Sequence, residues 1–332
     1  MLEVVEVAAA NSTFSEVANR IYAKSPVWAP GSAEAASWAF SEAAAERLEM
    51  HAVVAVADGV PAARAAAIAP PGDIGWIGLF ECASDRPGSG PAVLEACESY
   101  LTRRGYTSVE GPRSDPLTAG LQIGGFDLPQ TLFTTHNPPH YLDLFLDAGY
   151  RVATQMVAPI MTRERAPALA FEVPDVDVRQ VDLNSLTREL ASFHRLQGAV
   201  FSARPGYVPR SPADTGRLVN RLLPYLDEEL VVVAESAGEV VGSLICLPDG
   251  WQSADRSRID RARILSIGVL PGWERRGLGI AMGSFLMEAL LRKGYQSVEG
   301  VWVLEYNTAP RELAERFGAI TGRRFAMMQK RL

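Results

Sequence analysis

Alternating apolar and polar positions divide this chain into strands and helices. One apolar stretch, residues 264–270, has the length and branched side chains of a buried strand. After a short loop, apolar residues recur at three- and four-residue spacing from Met282 to Leu290, which predicts a helix with one apolar face. Two alternating stretches in the first half flank Asp58-Gly59, and this dipeptide is typical of a β-hairpin.

The same pattern, followed along the whole chain, gives two series of elements. The first half has predicted strands at 2–8, 51–57, 62–68, 76–82, 107–111 and 156–161, and helices at 12–23, 33–48, 91–103 and 141–148. The second half has predicted strands at 178–181, 230–235, 239–247, 264–270, 298–304 and 325–329, and helices at 183–197, 213–226, 282–292 and 311–317. Residues 162–176 show no period, so we take them as a linker between domains at 1–161 and 177–332.

A sequence repeat relates the two halves. Residues 104–111 and 293–300 match at six of eight positions, with an offset of 189. The same offset places Gly88-Ser-Gly90 on Gly277-Leu-Gly279, and each of these turns precedes a predicted helix. Two matches at one offset favour a duplicated domain.

Composition narrows the class of protein. The 332 residues suit two domains, and 48% hydrophobic with 21% charged residues fits a globular protein. A net charge of −7 argues against a nucleic-acid partner. The three cysteines lie among apolar residues without metal spacing, which predicts buried thiols in a cytoplasmic protein. No apolar run is long enough to predict a membrane partner, and we expect a monomer or homodimer.

The loop at residues 275–280 carries the most specific chemical signal. Two arginines and two glycines stand directly before the predicted helix at 282–292. The first N–H groups of a helix have no intrahelical acceptor and lie at the positive end of its dipole. This arrangement predicts an anion site, and pyrophosphate is a frequent ligand of such sites.

The longer pattern Val269-x-Pro271-x-Trp273-x-x-Arg276-Gly277-x-Gly279 resembles the coenzyme A pyrophosphate loop of GCN5-related N-acetyltransferases, the GNAT family. The resemblance implies an α+β fold with mixed sheets, built as two tandem GNAT-like acyl-CoA N-acyltransferase domains. It implies an acyl-CoA cofactor, with acetyl-CoA as the first candidate, and it implies no metal site. The cofactor-binding residues that it implies are Ile267, Val269, Arg275, Arg276, Gly277, Leu278, Gly279, Ile280 and Asn307.

The first half resembles the N-terminal part of tandem GNAT-like bacterial proteins. The residues that carry this likeness are Gly78-Leu-Phe-Glu81, Val109-Glu-Gly-Pro112, Gly124-Gly-Phe-Asp127 and His136-Asn-Pro-Pro-His-Tyr141. His136 and His140 have the i, i+4 spacing of a helical metal site, but the two prolines between them exclude a helix. We therefore predict no metal at these histidines.

The two copies of the loop differ in their backbone donors. Pro87 and Pro91 stand opposite Arg276 and Ile280, and proline has no N–H. A hydrogen bond to a charged group contributes roughly 1.5–3 kcal/mol, so two lost donors predict a weakened first copy. We expect a degenerate N-terminal domain, an active C-terminal domain and about one bound coenzyme A per chain.

One residue of the loop departs from the resemblance. GNAT loops usually carry arginine or glutamine where this chain has Glu274. A carboxylate near a phosphate opposes its binding by roughly 1–3 kcal/mol unless it turns into water. The donor could instead be the phosphopantetheine of an acyl-carrier protein, which lacks the adenosine end, and this alternative stays open.

The sequence does not decide which residues are catalytic. The tyrosine that many GNAT enzymes place seven residues after the asparagine is here Ala314, and the carboxylate of the preceding strand is replaced by Ser266. The remaining candidates are His194 and Tyr207, and the resemblance places Arg204 and Tyr207 in the loop that lines the acceptor groove. Asn307 has two open roles, a cofactor contact or a helix N-cap.

A site without an evident base favours an acceptor that deprotonates easily. At pH 7 a lysine-like amine requires roughly 4.6 kcal/mol to lose its proton, whereas an α-amine requires about 1 kcal/mol. We expect an amine of a small molecule or peptide as the acceptor. Two alternatives stay open: a ligand-binding GNAT-like module without turnover, and an aminoacyl-tRNA-dependent peptidyl transferase, which the acidic composition disfavours.

Overall fold

The computed structural model describes residues 1–8, 12–29, 41, 48–113, 120–168, 170–202 and 209–332. Contacts divide the chain into two compact units. The first contains Met1–Val157 together with Gly322–Leu332, and the second contains Ala158–Thr321. Apart from residues 41 and 48, the predicted helix at 33–48 lies outside the described residues.

The first unit is a mixed sheet with helices. Its elements are β1 (Leu2–Val7), α1 (Ser12–Tyr22), β2 (Glu49–Ala57), β3 (Val60–Ala69), β4 (Ile74–Cys82), α2 (Ser89–Arg103), β5 (Ser108–Gly111), β6 (Leu121–Gly124), α3 (Tyr141–Asp147), the start of β7 (Arg151–Thr162) and most of β14 (Ile320–Arg331). The strand order is β1-β2-β3-β4-β5-β14-β7. The pair β4–β5 is parallel, whereas β1–β2, β2–β3, β3–β4 and β5–β14 are antiparallel. The predicted hairpin is confirmed, with Asp58 and Gly59 at φ 52° and 78°.

The second unit is also a mixed sheet with helices. Its elements are the end of β7, β8 (Asp177–Gln180), α4 (Leu186–Phe201), α5 (Pro212–Leu222), β9 (Val231–Ser236), β10 (Glu239–Pro248), β11 (Arg261–Val269), α6 (Leu278–Arg292), β12 (Ser297–Glu299), β13 (Val303–Leu304) and α7 (Thr308–Arg316). The strand order is β7-β12-β11-β10-β9-β8, and β11–β12 is the parallel pair. The single strand predicted at 298–304 is two strands, because Gly300 leaves the strand and packs against Pro159.

The unit boundaries differ from the predicted domains at two places. The last strand, predicted to close the second domain, pairs with β5 of the first unit from Met328 opposite Gly111 to Arg331 opposite Ser108. Phe325 and Met328 are buried there, so apolar burial holds this strand in the first unit. The predicted linker at 162–176 is part of the second unit.

The two units repeat one local geometry. Helices α2 and α6 begin and end 189 residues apart, the offset of the sequence repeat. Each is preceded by a left-handed glycine, Gly88 with φ 90° and Gly277 with φ 87°. Each helix connects two parallel strands, β4 with β5 and β11 with β12. This agreement supports the duplication inferred from the sequence.

Candidate active site

The parallel strands β11 and β12 separate near the glycine-rich loop. Their pairing covers three residue pairs and ends with Arg263 opposite Glu299. Residues 264–269 of β11 continue past this point, and a bulge at Leu265 shifts the pairing of β11 with β10. The crevice outside the carboxyl ends of parallel strands is a common ligand site.

The loop that leaves β11 has the backbone of an anion site. Arg275 and Gly277 have positive φ angles of 62° and 87°, and Arg276 between them does not. Alternation of this kind makes successive N–H groups converge into a concave nest for an anion. Within the described part of the chain, the N–H groups of residues 274–279 have no hydrogen-bond acceptor. The N–H of Ile280 donates to Gly277 O at 2.9 Å, so this predicted donor is already used.

The charged side chains of the loop are exposed and held apart. The guanidinium carbon of Arg276 lies 4.6 Å from the centre of the Trp273 ring, a cation–π contact. The carboxylate of Glu274 accepts a hydrogen bond of 2.6 Å from the N–H of Gly272. This bond ties Glu274 to the preceding turn, which reduces the electrostatic conflict that the sequence predicted.

Two apolar side chains pack against the glycines of the loop. A Cβ added to Gly277 would lie 2.1 Å from Cε1 of Phe171, and a Cβ added to Gly279 would lie 3.0 Å from Cδ2 of Leu313. Leu313 belongs to α7, so this helix lies close to the start of α6. Phe171 and Leu313 therefore cover the side of each glycine on which a Cβ would lie, while residues 274–276 are exposed.

His194 lies on α4 and is oriented by Thr215 of α5. The distance from Nδ1 of His194 to Oγ1 of Thr215 is 2.9 Å, and that hydroxyl donates to Ser211 O at 3.2 Å. Because the hydroxyl has one proton, Nδ1 of His194 is the donor of the first bond. In the neutral ring, Nε2 then carries the lone pair, which could accept a proton from a substrate.

Ser266 lies on β11, next to the bulge, and receives a hydrogen bond of 3.2 Å from Nε2 of Gln197. Helix α4 approaches β11 closely here, since a Cβ on Gly268 would lie 3.2 Å from Val200. Gln197 has no sequence signal of function, because a lone polar residue on a helix is ordinary. Arg204 and Tyr207, the predicted substrate-binding residues, lie outside the described residues.

Three further predicted cofactor residues lie at the start of α7 and on β11. Asn307 is the N-cap of α7, but its side chain makes no capping hydrogen bond. Ile267 and Val269 are partly buried on the part of β11 that runs beyond β12. Leu278 and Gly279, which are also predicted to bind the cofactor, are the first two residues of α6, and Leu278 is buried.

The equivalent loop of the first unit is closed. The N–H groups of Arg86 and Ser89 donate to Ala83 O and Arg86 O, at 3.3 and 3.2 Å. Ser89 is fully buried, and a Cβ on Gly90 would lie 2.7 Å from Leu144. The predicted loss of a donor at Pro91 is wrong, because its counterpart Ile280 uses its N–H within the helix turn.

Two of the motifs of the first unit, those ending at Glu81 and Tyr141, meet in a buried polar cluster. Oε2 of Glu81 accepts hydrogen bonds from the hydroxyls of Tyr22 and Tyr141, at 2.7 and 2.9 Å. Arg64 lies 3.9 Å from Oε1 of the same carboxylate and is buried. Burial raises the pKa of Glu81, and burial together with Glu81 raises the pKa of both tyrosines. The cluster is internally bonded and holds α1, α3 and β4 together.

His136 of the first unit is fixed as a neutral ring. The amide of Gln122 donates to Gly125 O at 2.9 Å, which leaves its oxygen facing Nδ1 of His136 at 3.1 Å. Burial, assisted by the charge of Arg323, lowers the pKa of His136 to about 4. The folded state therefore takes up this proton less readily than the unfolded chain does.

The depressed pKa of His136 predicts a loss of stability in acid. The contribution is complete above the unfolded pKa near 6.5 and is lost as the pH falls through the folded pKa of about 4. After a discount for partial exposure, we expect roughly 2 kcal/mol lower stability of the first unit at pH 4 than at pH 7 from this group. Urea unfolding of wild type and His136→Gln at both pH values measures it. Equal pH dependence in both proteins would contradict this assignment.

The described residues offer neither a metal-binding cluster nor a membrane-spanning helix. Among the described residues, no group of three or more histidine, cysteine or acidic side chains could hold a metal ion. In that same part of the chain, every helix is too short or too polar to traverse a bilayer. All three cysteines are free and buried, as the sequence predicted.

Comparison with known proteins identifies the second unit. Residues 199–319 match the Acetyltransferase (GNAT) family. A protein of Caulobacter vibrioides named bacterial ceramide synthase is 25% identical over 293 residues, which is 78% of this chain and 75% of that protein. Protein YghO of Escherichia coli is 23% identical over 292 residues, with the same shares covered.

Solved structures share the fold along the whole chain. A GCN5-related N-acetyltransferase from Sphaerobacter thermophilus has a TM-score of 0.64 at 18% identity, covering 99% of this chain and 95% of its own. A tandem GNAT protein from the clavulanic acid biosynthesis pathway has a TM-score of 0.68 at 12% identity, covering 100% and 98%. Residues 199–319 thus match the GNAT family, and the chain shares its fold with solved GNAT and tandem GNAT proteins.

Proposed function

We propose that this protein is an acyl-CoA-dependent N-acyltransferase whose second unit binds the donor. The observation that carries the proposal is the loop at Arg275–Gly277, whose alternating φ angles and N–H groups without acceptors suit a diphosphate. The GNAT match over residues 199–319 supports the same assignment. The closed loop of the first unit favours one donor site per chain.

The residues around the loop divide the work of donor binding. The N–H groups of Arg276, Gly277 and Gly279 would hold the diphosphate, and the two arginine side chains would add positive charge. The edge of β11 at Ile267 and Val269 runs beyond β12, so its backbone could pair with the amides of a pantetheine arm. The side-chain amide of Asn307 makes no capping hydrogen bond, so it would be available to contact the cofactor arm from the start of α7.

Acyl-CoA would supply the acyl group as a thioester. Nε2 of His194, which carries a lone pair in the tautomer set by Thr215, would take the proton of the acceptor amine. The resulting neutral amine nitrogen then bonds to the acyl carbon, the C–S bond breaks, and the second proton lost from that nitrogen passes to the leaving thiolate. The hydroxyl of Ser266, which accepts a hydrogen bond from Gln197, would orient either the acceptor amine or the thioester carbonyl. Positioning of the amine against the thioester would then supply most of the rate enhancement.

Two classes of acceptor are consistent with the site. The weak basic machinery favours a low-pKa amine of a small molecule or peptide. The relative from Caulobacter vibrioides is named a ceramide synthase, and a ceramide is the N-acyl amide of a long-chain amino alcohol. That name favours, as the second candidate, a lipid amine with an acyl group longer than acetyl.

The test is release of free thiol in the presence of an amine panel. We expect acyl transfer to α-amines or amino alcohols to exceed transfer to the lysine side chain by at least tenfold, because the lysine amine must first lose its proton at a higher free-energy cost. Each amine would be tested with three donors, namely acetyl-CoA, a long-chain acyl-CoA and an acyl-carrier protein that carries an acyl group. Binding of CoA without thiol release for any pair would favour the non-catalytic module, and faster transfer to lysine would contradict the acceptor class.

A further inference from the structure

The segment that precedes β8 contacts α6 near both of its ends. The side chain of Arg163 donates to Leu291 O at 2.9 Å, near the end of the helix, and its N–H donates to Gln296 O at 2.8 Å. Farther along, Nε of Arg165 donates to Gly318 O at 3.1 Å. Val173 then enters the apolar core. These contacts fix the chain on both sides of Phe171.

Phe171 is thereby held at the start of α6. Its ring contacts Gly277 so closely that a Cβ there would lie within 2.1 Å of Cε1 and 2.6 Å of Cζ. Yet 44% of the residue is exposed, so much of the ring faces solvent. Arg275 and Arg276, also exposed, stand immediately before the glycine. An anchored ring with open surface therefore lies directly beside the anion loop.

We propose that Phe171 is a binding residue for the purine of the donor, against which the purine stacks while the loop holds the diphosphate. In coenzyme A the diphosphate separates the pantetheine arm from the nucleotide. If the arm follows the free edge of β11, the nucleotide leaves the loop on the other side, away from the strand. Phe171 lies outside the sheet, on the segment that contacts α6 near both of its ends. Trp273 is less suited, because its ring already carries the guanidinium of Arg276.

This inference rests on the proposed function and sharpens it. An acyl-carrier protein presents phosphopantetheine without a purine, so a stacking residue at this place selects free coenzyme A as the donor. Stacking of one base on one aromatic ring changes affinity by about tenfold. The arrangement also explains why a large apolar side chain stays exposed beside a charged loop.

The experiment compares two probes, coenzyme A and 4′-phosphopantetheine, by calorimetry on the full chain. Phe171→Ala is expected to weaken coenzyme A binding about tenfold and to leave 4′-phosphopantetheine binding unchanged. Phe171→Trp is expected to retain coenzyme A binding, because it keeps an aromatic face. Phe171→Leu keeps apolar packing without the ring and should behave like Phe171→Ala, which separates stacking from folding effects.

Three outcomes would overturn the assignment. Equal weakening of both probes would make Phe171 a support of the loop. Tighter binding of both probes by Phe171→Ala would make the ring a plug that a donor must displace. Wild-type protein that binds neither probe would overturn the proposed function as well, and this failure is distinct because it appears before any substitution.

Discussion

Replacing Gly277 with alanine is expected to weaken coenzyme A binding by roughly a hundredfold, since two N–H groups would lose their alignment with the diphosphate. Gly277 has a φ angle of 87°, and an added Cβ would lie 2.1 Å from Phe171. The left-handed backbone is unfavourable for alanine by roughly 1–2 kcal/mol, and the ring must move as well. Backbone strain and the contact with Phe171 would therefore both displace the loop from the geometry in which its N–H groups converge. Calorimetric titration with coenzyme A measures the effect.

Two other glycines provide matched controls. Gly238 has a φ angle of 80° in the turn between β9 and β10, with no atom within 4 Å of an added Cβ. Gly238→Ala should lower stability through the same backbone strain and leave coenzyme A affinity unchanged. Gly88→Ala alters the corresponding position of the first unit and should also leave affinity unchanged. Normal binding by Gly277→Ala, or weakened binding by Gly88→Ala, would contradict the assignment of the donor site to the second unit.

Replacing Glu81 with alanine is expected to destabilise the first unit by about 3–5 kcal/mol, because a buried positive charge loses its partner. Arg64 lies 3.9 Å from this carboxylate, and Tyr22 and Tyr141 donate to it. The substitution removes the carboxylate from a buried guanidinium and two hydroxyls, which keep only the backbone acceptors Phe14 O, His136 O and Cys82 O. The free energy of unfolding in urea measures the effect.

An exposed ion pair supplies the control for Glu81. Glu49 pairs with Arg104, and their side chains are 51% and 42% exposed. Surface pairs contribute roughly 0–1 kcal/mol, so Glu49→Ala should have a small effect. A change below 1 kcal/mol in Glu81→Ala would show that the cluster tolerates an uncompensated charge, contrary to our description.

The two loops show how far reasoning from sequence extends. The sequence predicted the strand, the turn and the helix around Gly277, and it predicted that the first copy is weaker. The reason was only partly correct, because Pro91 removes no available donor. The first loop is closed mainly by the hydrogen bonds of Arg86 and Ser89 and by burial of Gly90 under Leu144. The two hydrogen bonds are local turns that no residue pattern marks, and the contact of Gly90 with Leu144 depends on tertiary packing.

The candidate catalytic residues show a similar division. The sequence singled out His194 and Ser266 by type and position, and their roles remain proposals. Their orientation depends on Thr215 and Gln197, which no motif marks. A serine or histidine acquires a defined proton position only when its partners are known, and the partners come from other elements.

Local pattern alone determined the hairpin at Asp58-Gly59 and the glycine-rich turn before α6, because each depends on backbone preferences of a few neighbouring residues. Comparison of the two halves of the sequence determined the repeat. Tertiary structure decided that the last strand completes the first unit, that Phe171 lies on Gly277 and that Gln122 orients His136. Those outcomes depend on which apolar surfaces are buried together and which polar groups then find partners. Both are set by contacts between residues distant in sequence, and the periodicity of a single segment carries no record of them.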